Sequence, residues 1–546
     1  MSDAKLLRGT LVLTAATYIS KMLGLIYVIP FTAIVGQTGN ALYQFGFIPY
    51  TVLLSLATLG VPLAVSKFVS KYQSMGDYQI GYRLLKTGIL FMAVNGVIAF
   101  LVLYVSAPLI ASWIVIDPNE LKGNSMEDVI FTIRMVSVAL LIVPIMAIIR
   151  GFFQGHQSMG PTAVSQVIEQ IVRIIFILLA VYFIIYVKDG SLGLAVGIAT
   201  LGAFFGAGAG MIVLLWYWIK RKSLILNEVK SSTVTHTLSL KEMYKEVIGY
   251  AIPLSFIGLA IPLFQLVDLF TVTNALSKSG LMAEGEPVTF FAIFSSTAHK
   301  LILIPMALAT AFSITLVPTI TKSFILNDRK ALQQQITKTF RIILFFTVPA
   351  IVGLSTLSYP VFSFFYWPNE VEMGGMVLRY YAPIALFFSL FAVSGAILQG
   401  INKQRFAVIA LVCGLIVKLS LNYILLYQWG PLGGIFSTYL GYALSIAIML
   451  WAIRRYAGYQ FNELFKETTS VFVFSTIMGL YAWIVMIYTQ HHFPIVNWTS
   501  AAIVLSSSVL VGFSIYILLG YRFGVIQSVL GNRSRQQSFN SKQNED

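Results

Sequence analysis

Four cationic side chains fall inside long apolar runs of this chain: Lys21, Arg173, Lys300 and Lys418. An ionisable group at the centre of a spanning helix costs roughly 2.5–3.5 kcal/mol on insertion scales. A chain that keeps four of them reads as one that lines a wet cavity with positive charge. Only two acids, Glu169 and Asp268, share that depth, so the cavity should attract an anion.

Each residue also has a plainer reading. Lys21, in SKMLG, lies roughly 12 residues into its run, about 18 Å at the helical rise, too deep to snorkel easily. Lys300 follows His299 at similar depth. Arg173 has Glu169 four residues earlier on the same helical face, where an internal ion pair competes with ligand binding. Lys418 shares a face with Asn422, and Asp268 is its natural partner. That pair either fixes geometry or is broken and remade as a switch. The five histidines are scattered and Cys413 is alone, so neither zinc spacing nor an intrachain disulfide is present. No phosphate-cradling glycine loop, nucleophile elbow or facing acid pair occurs, which argues against an enzyme.

The elements that must position these residues are membrane spans. The chain of 546 residues is 58% hydrophobic and 10% charged, the composition of an all-α polytopic membrane protein. Runs long enough to cross a bilayer number fourteen: 9–36, 41–66, 87–113, 130–153, 161–187, 191–219, 247–275, 289–320, 342–366, 377–400, 406–427, 432–453, 468–490 and 497–520. The first is about twice as long as a signal-peptide core and lacks a small-residue cleavage site, so it reads as a retained span. With the N-terminus inside, only Lys122, Arg134, Lys188, Lys278 and Arg379 of the 36 Lys and Arg fall in outward loops. Those loops instead carry Asp117, Glu120, Glu127, Asp128, Asp189, Glu284, Glu286, Glu370 and Glu372. This is the positive-inside pattern, and it places both termini in the cytoplasm. The net charge of +15 then faces the anionic inner leaflet and calls for no nucleic acid.

Two stretches match without gaps: QGHQSMGPTAVSQVIEQIVRI at 154–174 and QGINKQRFAVIALVCGLIVKL at 399–419. They align Arg173 with Lys418 and make the repeat six spans long. An even repeat gives two parallel lobes, and transporters of that kind bind substrate near the midplane. The expected division is a lobe at 1–219, an amphipathic cytoplasmic linker at 220–246, a lobe at 247–455, two additional helices at 456–520, and a polar, disordered tail at 521–546. Pro30, Pro49, Pro62, Pro253, Pro262 and Pro305 should bend the first, second, seventh and eighth spans.

The segment from Arg150 to Ile174, RGFFQGHQSMGPTAVSQVIEQIVRI, with LQGINKQRFAV from Leu398 to Val408, resembles the multidrug/oligosaccharidyl-lipid/polysaccharide exporter superfamily. Within it the chain is similar to the lipid II flippase family, in its Gram-positive branch beside the stage V sporulation protein B group. The resemblance runs to about residue 525. It implies alternating access in a bacterial plasma membrane, driven by membrane potential. It also implies a polyprenyl-diphosphate-linked sugar-peptide as substrate, membrane lipids around it and wall-synthesis enzymes as partners. The alternatives are a flippase for another polyprenyl-linked polysaccharide unit, a cation-coupled drug exporter, and a non-transporting scaffold of wall synthesis. A drug exporter that expels lipophilic cations should have an acidic cavity, which the cation surplus disfavours.

The resemblance carries site residues over only in part. The family's cavity arginines of spans 1 and 8 match Lys21 and Lys300. Its second arginine on span 1 falls on Tyr27, and that of span 2 falls near Leu54 and Ser55, neither cationic. Lys67, Arg150 and Arg173 complete the candidate cationic set. Some members hold sodium between spans 7, 11 and 12. The matching positions are Asp268, Lys418, Asn422 and Thr438. An ammonium among those ligands should exclude sodium, so no cofactor is expected. Glu169 joins Asp268, Lys418, Asn422 and Thr438 as a candidate gating or coupling residue.

Overall fold

The computed structural model describes residues 3–526 apart from 59, 116, 117, 233, 235–237, 367 and 369. Most of the expected polar tail lies outside the described residues. Among those residues the chain is helical, without strands. The helices are α1 (Asp3–Ile26), α2 (Val28–Thr58), α3 (Val61–Ser74), α4 (Tyr78–Ile114), α5 (Met126–Ser137), α6 (Val143–Gly155) and α7 (Gly160–Tyr182). There follow α8 (Leu192–Thr200), α9 (Gly202–Lys230), α10 (Leu240–Gly258), α11 (Ala260–Ser279), α12 (Glu286–Ala292), α13 (Ala298–Ile325) and α14 (Arg329–Thr356). The last are α15 (Ser358–Tyr366), α16 (Val371–Tyr381), α17 (Ile384–Gly400), α18 (Arg405–Trp429), α19 (Pro431–Ala457), α20 (Asn462–His492) and α21 (Trp498–Arg522).

Among the described residues twelve helical stretches are long and apolar enough to cross a membrane, and the pair α16 and α17, bent by 43°, makes a thirteenth. One of the twelve, Val12–Ser74, is 63 residues long, enough for two crossings. It contains Gly36 in the left-handed region at φ 65°. Fourteen spans are compatible with this set. Large apolar side chains stand exposed along the helices, among them Val105, Ile212 and Ile219, as expected where lipid is the solvent.

Proline explains many of the breaks, because it lacks the N–H that the carbonyl of the preceding turn needs. The chain breaks at Tyr27 ahead of Pro30, at Gly60 ahead of Pro62, and at Leu259 ahead of Pro262. The eighth span departs from α geometry in a different way, as a π-helical turn at Ile293–Thr297. Breaks at Ile142 ahead of Pro144 and at Leu357 ahead of Pro360 show that bending is not confined to the four spans singled out from sequence.

By packing, the chain divides into two compact units: Met1–Thr297 with Leu415–Ser437, and Ala298–Gly414 with Thr438–Asp546. In the first unit, α7 lies closest to α9, and α3 to α6. Glycines four residues apart on α9 allow the first contact. A Cβ on Gly206 would meet the Glu169 carbonyl at 2.7 Å and Arg173 Cβ at 2.9 Å, and one on Gly202 would meet the Arg173 carbonyl at 3.0 Å. Small residues at this spacing are how helices approach closely in lipid, where no hydrophobic force pulls them together. The start of α10 docks on α3. Met243, Val247 and Ala251 join Val65, Phe68 and Phe152 in one buried cluster, and Glu246 accepts from Lys71 Nζ at 2.6 Å and the Tyr72 hydroxyl at 3.0 Å.

In the second unit, α14 packs on α20 and α20 on α21, while α13 packs on α17. Polar pins hold these apolar faces in register. The Tyr516 hydroxyl donates to the Phe345 carbonyl at 2.8 Å, and Thr337 and Tyr459 share a hydroxyl bond of 2.9 Å.

Candidate functional site

Two polar clusters lie deep in the first unit. The first is built on α6 and α7. Glu169 bridges two guanidinium groups, with Arg173 Nη2 at 2.7 Å and Arg150 Nη2 at 2.8 Å. Arg150 Nε also donates to the Ser165 hydroxyl at 3.0 Å. Arg173 Nε is buried and makes no hydrogen bond. Tyr27, Tyr43 and Tyr50 lie close enough to Arg173 to interact with its charge, and the Tyr50 hydroxyl is buried without a partner. The cluster thus holds two cations and one carboxylate, at 13–18% side-chain exposure. The surplus positive charge suits an added anion.

The second cluster is closed. Lys418 Nζ on α18 lies 2.6 Å from Asp268 Oδ1 on α11, with side-chain exposures of 0% and 6%. The ammonium also donates to the Gly434 carbonyl and the Ser437 hydroxyl, each at 3.2 Å, and lies 5.9 Å from the Phe294 ring centroid. Asn422 donates to Asp268 at 3.0 Å and to the Thr271 hydroxyl at 2.6 Å, and accepts from Ser437. An ammonium needs three acceptors and a buried carboxylate needs a cation, and here both requirements are met.

The remaining candidates are dispersed. Lys21 is exposed on α1 and has no ion pair among the described residues. Its helix packs on α7, where Thr17 donates to Gln166 at 3.4 Å and a Cβ on Gly24 would meet Gln170 Nε2 at 3.1 Å. Lys300 is half-buried on α13 in the second unit. The neighbouring His299 is buried, with Nδ1 3.1 Å from the Tyr381 hydroxyl. Lys67 is exposed on α3. Thr438 is buried and belongs to the second unit. Arg173 and Lys418 are thus each matched to a carboxylate, the first in a surplus and the second one to one. Sequence reasoning missed Ser165, Ser437, Gly434 and the tyrosines around Arg173. The glycine spacing on α9 was a readable signal for the packing beneath the first cluster.

Buried charge held between helices of a multi-span bundle defines a membrane transport protein, and comparison with known proteins narrows that class. The profile of the polysaccharide biosynthesis protein family matches residues 6–324, and the MatE profile matches residues 253–424. The lipid II flippase MurJ of Bacillus subtilis (strain 168) is 47% identical over 537 residues, spanning 97% of this chain and 98% of that protein. A solved structure of lipid II flippase MurJ, in an inward closed conformation, superposes with a TM-score of 0.63 at 17% identity, covering 94% of this chain and 98% of that one. An inward-facing multidrug resistance MATE family transporter of the MOP superfamily gives 0.60 at 15% identity, covering 82% and 95%. The chain belongs to the polysaccharide biosynthesis protein family, in the branch that holds MurJ.

Proposed function

We propose that the chain is a lipid II flippase, moving the undecaprenyl-diphosphate-linked peptidoglycan precursor from the inner to the outer leaflet of a bacterial plasma membrane. The observation that carries this reading is the charge surplus of Arg150 and Arg173 over Glu169, half-buried in a chain 47% identical to a relative of that name. It is a transporter and not an enzyme, as its named relatives are. Of the candidate cations, Lys21, Lys300, Arg173 and Lys67 receive the diphosphate, and Arg150 holds the Glu169 carboxylate beside them. Arg173 offers a planar fork to phosphate and the lysines a point charge.

The lobes at 1–219 and 247–455, joined by the segment at 220–246, alternate access to the two leaflets. The additional helices at 456–520 guide the polyprenyl tail. Both termini stay in the cytoplasm. A membrane potential negative inside drives the anionic headgroup outward, at about 2.3 kcal/mol per charge per 100 mV, so roughly 4–5 kcal/mol for two phosphate charges. Lys418 stands where a coupling cation would bind. With Asp268, Asn422 and Thr438 it forms the element that the transport cycle breaks and remakes. Wall-synthesis enzymes that take up the precursor are the expected partners.

Proteoliposomes carrying fluorescent lipid II test this. Wild-type protein should expose the lipid to the outer leaflet, faster under an imposed potential. A Lys21→Ala/Lys300→Ala variant should lose most of that activity. Equal flipping by both proteins would remove the cavity assignment. Flipping of another polyprenyl-linked unit in place of lipid II would change the substrate, and no flipping of any would favour a scaffold.

A further inference from the structure

Glu169 is an odd residue to find in an anion-binding cluster, since it competes for the cations the ligand needs. The geometry points to a use for that competition. Arg150 is held twice, by Ser165 at 3.0 Å and Glu169 at 2.8 Å. Arg173 is held once, by Glu169 at 2.7 Å, and its buried Nε has no partner. A guanidinium fork that could grip two oxygens side by side is thus engaged through one arm.

We propose that Glu169 is a displaceable stand-in for the ligand's diphosphate. On loading, Arg173 releases the Glu169 carboxylate and takes phosphate oxygens instead, while Arg150 keeps Glu169. The exchange leaves no charge orphaned. Before it, one carboxylate serves two cations, and after it each cation has its own anion. A buried charge stripped of its partner is strongly destabilising, so a relay that always supplies a second partner lowers the barrier to loading and to release. The backbone need not move. Gly202 and Gly206 of α9 pack against the carbonyls of Arg173 and Glu169, which fixes α7 and confines the exchange to side chains. Exposures of 18% for Arg173 and 14% for Glu169 leave both within reach of a ligand.

This rests on the anion-carrier reading above, and the experiment separates the two. Full-length protein in nanodiscs is titrated with farnesyl diphosphate and, separately, with inorganic diphosphate. Glu169→Gln should bind farnesyl diphosphate about tenfold more tightly than wild type and release it more slowly, so that flipping falls. Glu169→Gln/Arg150→Gln keeps the cluster at one surplus positive charge. It should bind as tightly as Glu169→Gln, which assigns the gain to lost competition and not to added charge. Arg173→Ala should weaken binding at least tenfold. Tightening confined to farnesyl diphosphate assigns a lipid-linked ligand, and equal tightening of inorganic diphosphate assigns a soluble one. Unchanged affinity in both Glu169 variants, with Arg173→Ala still weakened, would overturn the displacement and leave the anion site standing. Failure of folded wild-type protein to bind either probe would overturn the carrier reading itself. Melting temperatures of all variants identify any that fail to fold.

Discussion

Arg173 and Lys418 occupy the same place in the six-span repeat, yet they have been given opposite surroundings. Arg173 shares a carboxylate with a second cation and keeps 18% of its side chain exposed, whereas Lys418 has Asp268 to itself and is sealed. The cause is visible one helical turn earlier. Glu169 aligns with Gly414 in the repeat, and a Cβ on Gly414 would come within 2.0 Å of Ser445 Oγ and 2.5 Å of the Gly441 carbonyl. No acid fits there. In the first repeat the glycines sit on α9, so α7 keeps its side chains. In the second the close approach is made by α18 itself, so its lysine must find a counter-charge on α11. Where the small residue falls decides which helix carries the acid, and with it whether the cation is shared or closed off.

The largest effect should come from removing the acid of the closed cluster. Asp268→Ala strands Lys418 and should cost about 3–5 kcal/mol, read as lost folded yield and a large fall in melting temperature. Glu169→Ala should cost clearly less, because its arginines reach solvent. Equal losses at the two sites would erase the contrast drawn here. The double change Asp268→Asn/Lys418→Met removes both charges and should recover most of the stability, while flipping of fluorescent lipid II stays low. Restored flipping would reduce the pair to a structural tie.

Overpacking the first cluster's support comes next. Gly206→Leu should cost about 1–3 kcal/mol and weaken farnesyl diphosphate binding along with it, since α7 must shift. Lys418→Ala should open its oxygen-lined place to a metal ion. The free energy of unfolding should then rise with sodium chloride against choline chloride, by about 1.4 kcal/mol at ten times the dissociation constant. An equal response in wild type would show that the ammonium excludes nothing. Smallest is Lys71→Ala, which breaks a partly exposed pair with Glu246 and should cost about 0.2–1 kcal/mol, measurable by a double cycle with Glu246→Ala.

The membrane architecture was legible because lipid imposes a simple rule: long apolar runs, with the basic residues between them concentrated on one side. The pairing of Arg173 with Glu169 was legible because four residues separate them on one helix. Asp268 was readable as the partner of Lys418 because the family resemblance puts both positions in one shared site, and an acid and a cation there call for each other. The part of Arg150 in bridging to Glu169 was not readable, because loop charge places it at a span end and only the packing of α6 on α7 brings it in. Gly434 and Ser437 were equally hidden, since a carbonyl and a serine in a helix carry no sign of a distant ammonium. The extension of α9 to Lys230 escaped a hydropathy reading because a helix does not stop where lipid does.

That extension supplies a ruler. Past the glycines that touch α7, α9 runs into Trp216, Tyr217 and Trp218 and then Lys220, Arg221 and Lys222, the aromatic-then-basic order of a headgroup boundary. Lys220 sits over the Trp216 ring at 5.2 Å and Arg221 over Tyr217 at 5.3 Å. Gly206, which abuts Glu169 and Arg173, is roughly ten residues from Trp216, hence about 15 Å deeper at 1.5 Å per residue. Half of a hydrocarbon slab is also about 15 Å. The helix therefore gauges its own immersion and suspends the shared carboxylate at mid-bilayer, where half of the transmembrane voltage has been dropped and a travelling phosphate is equally far from both aqueous phases.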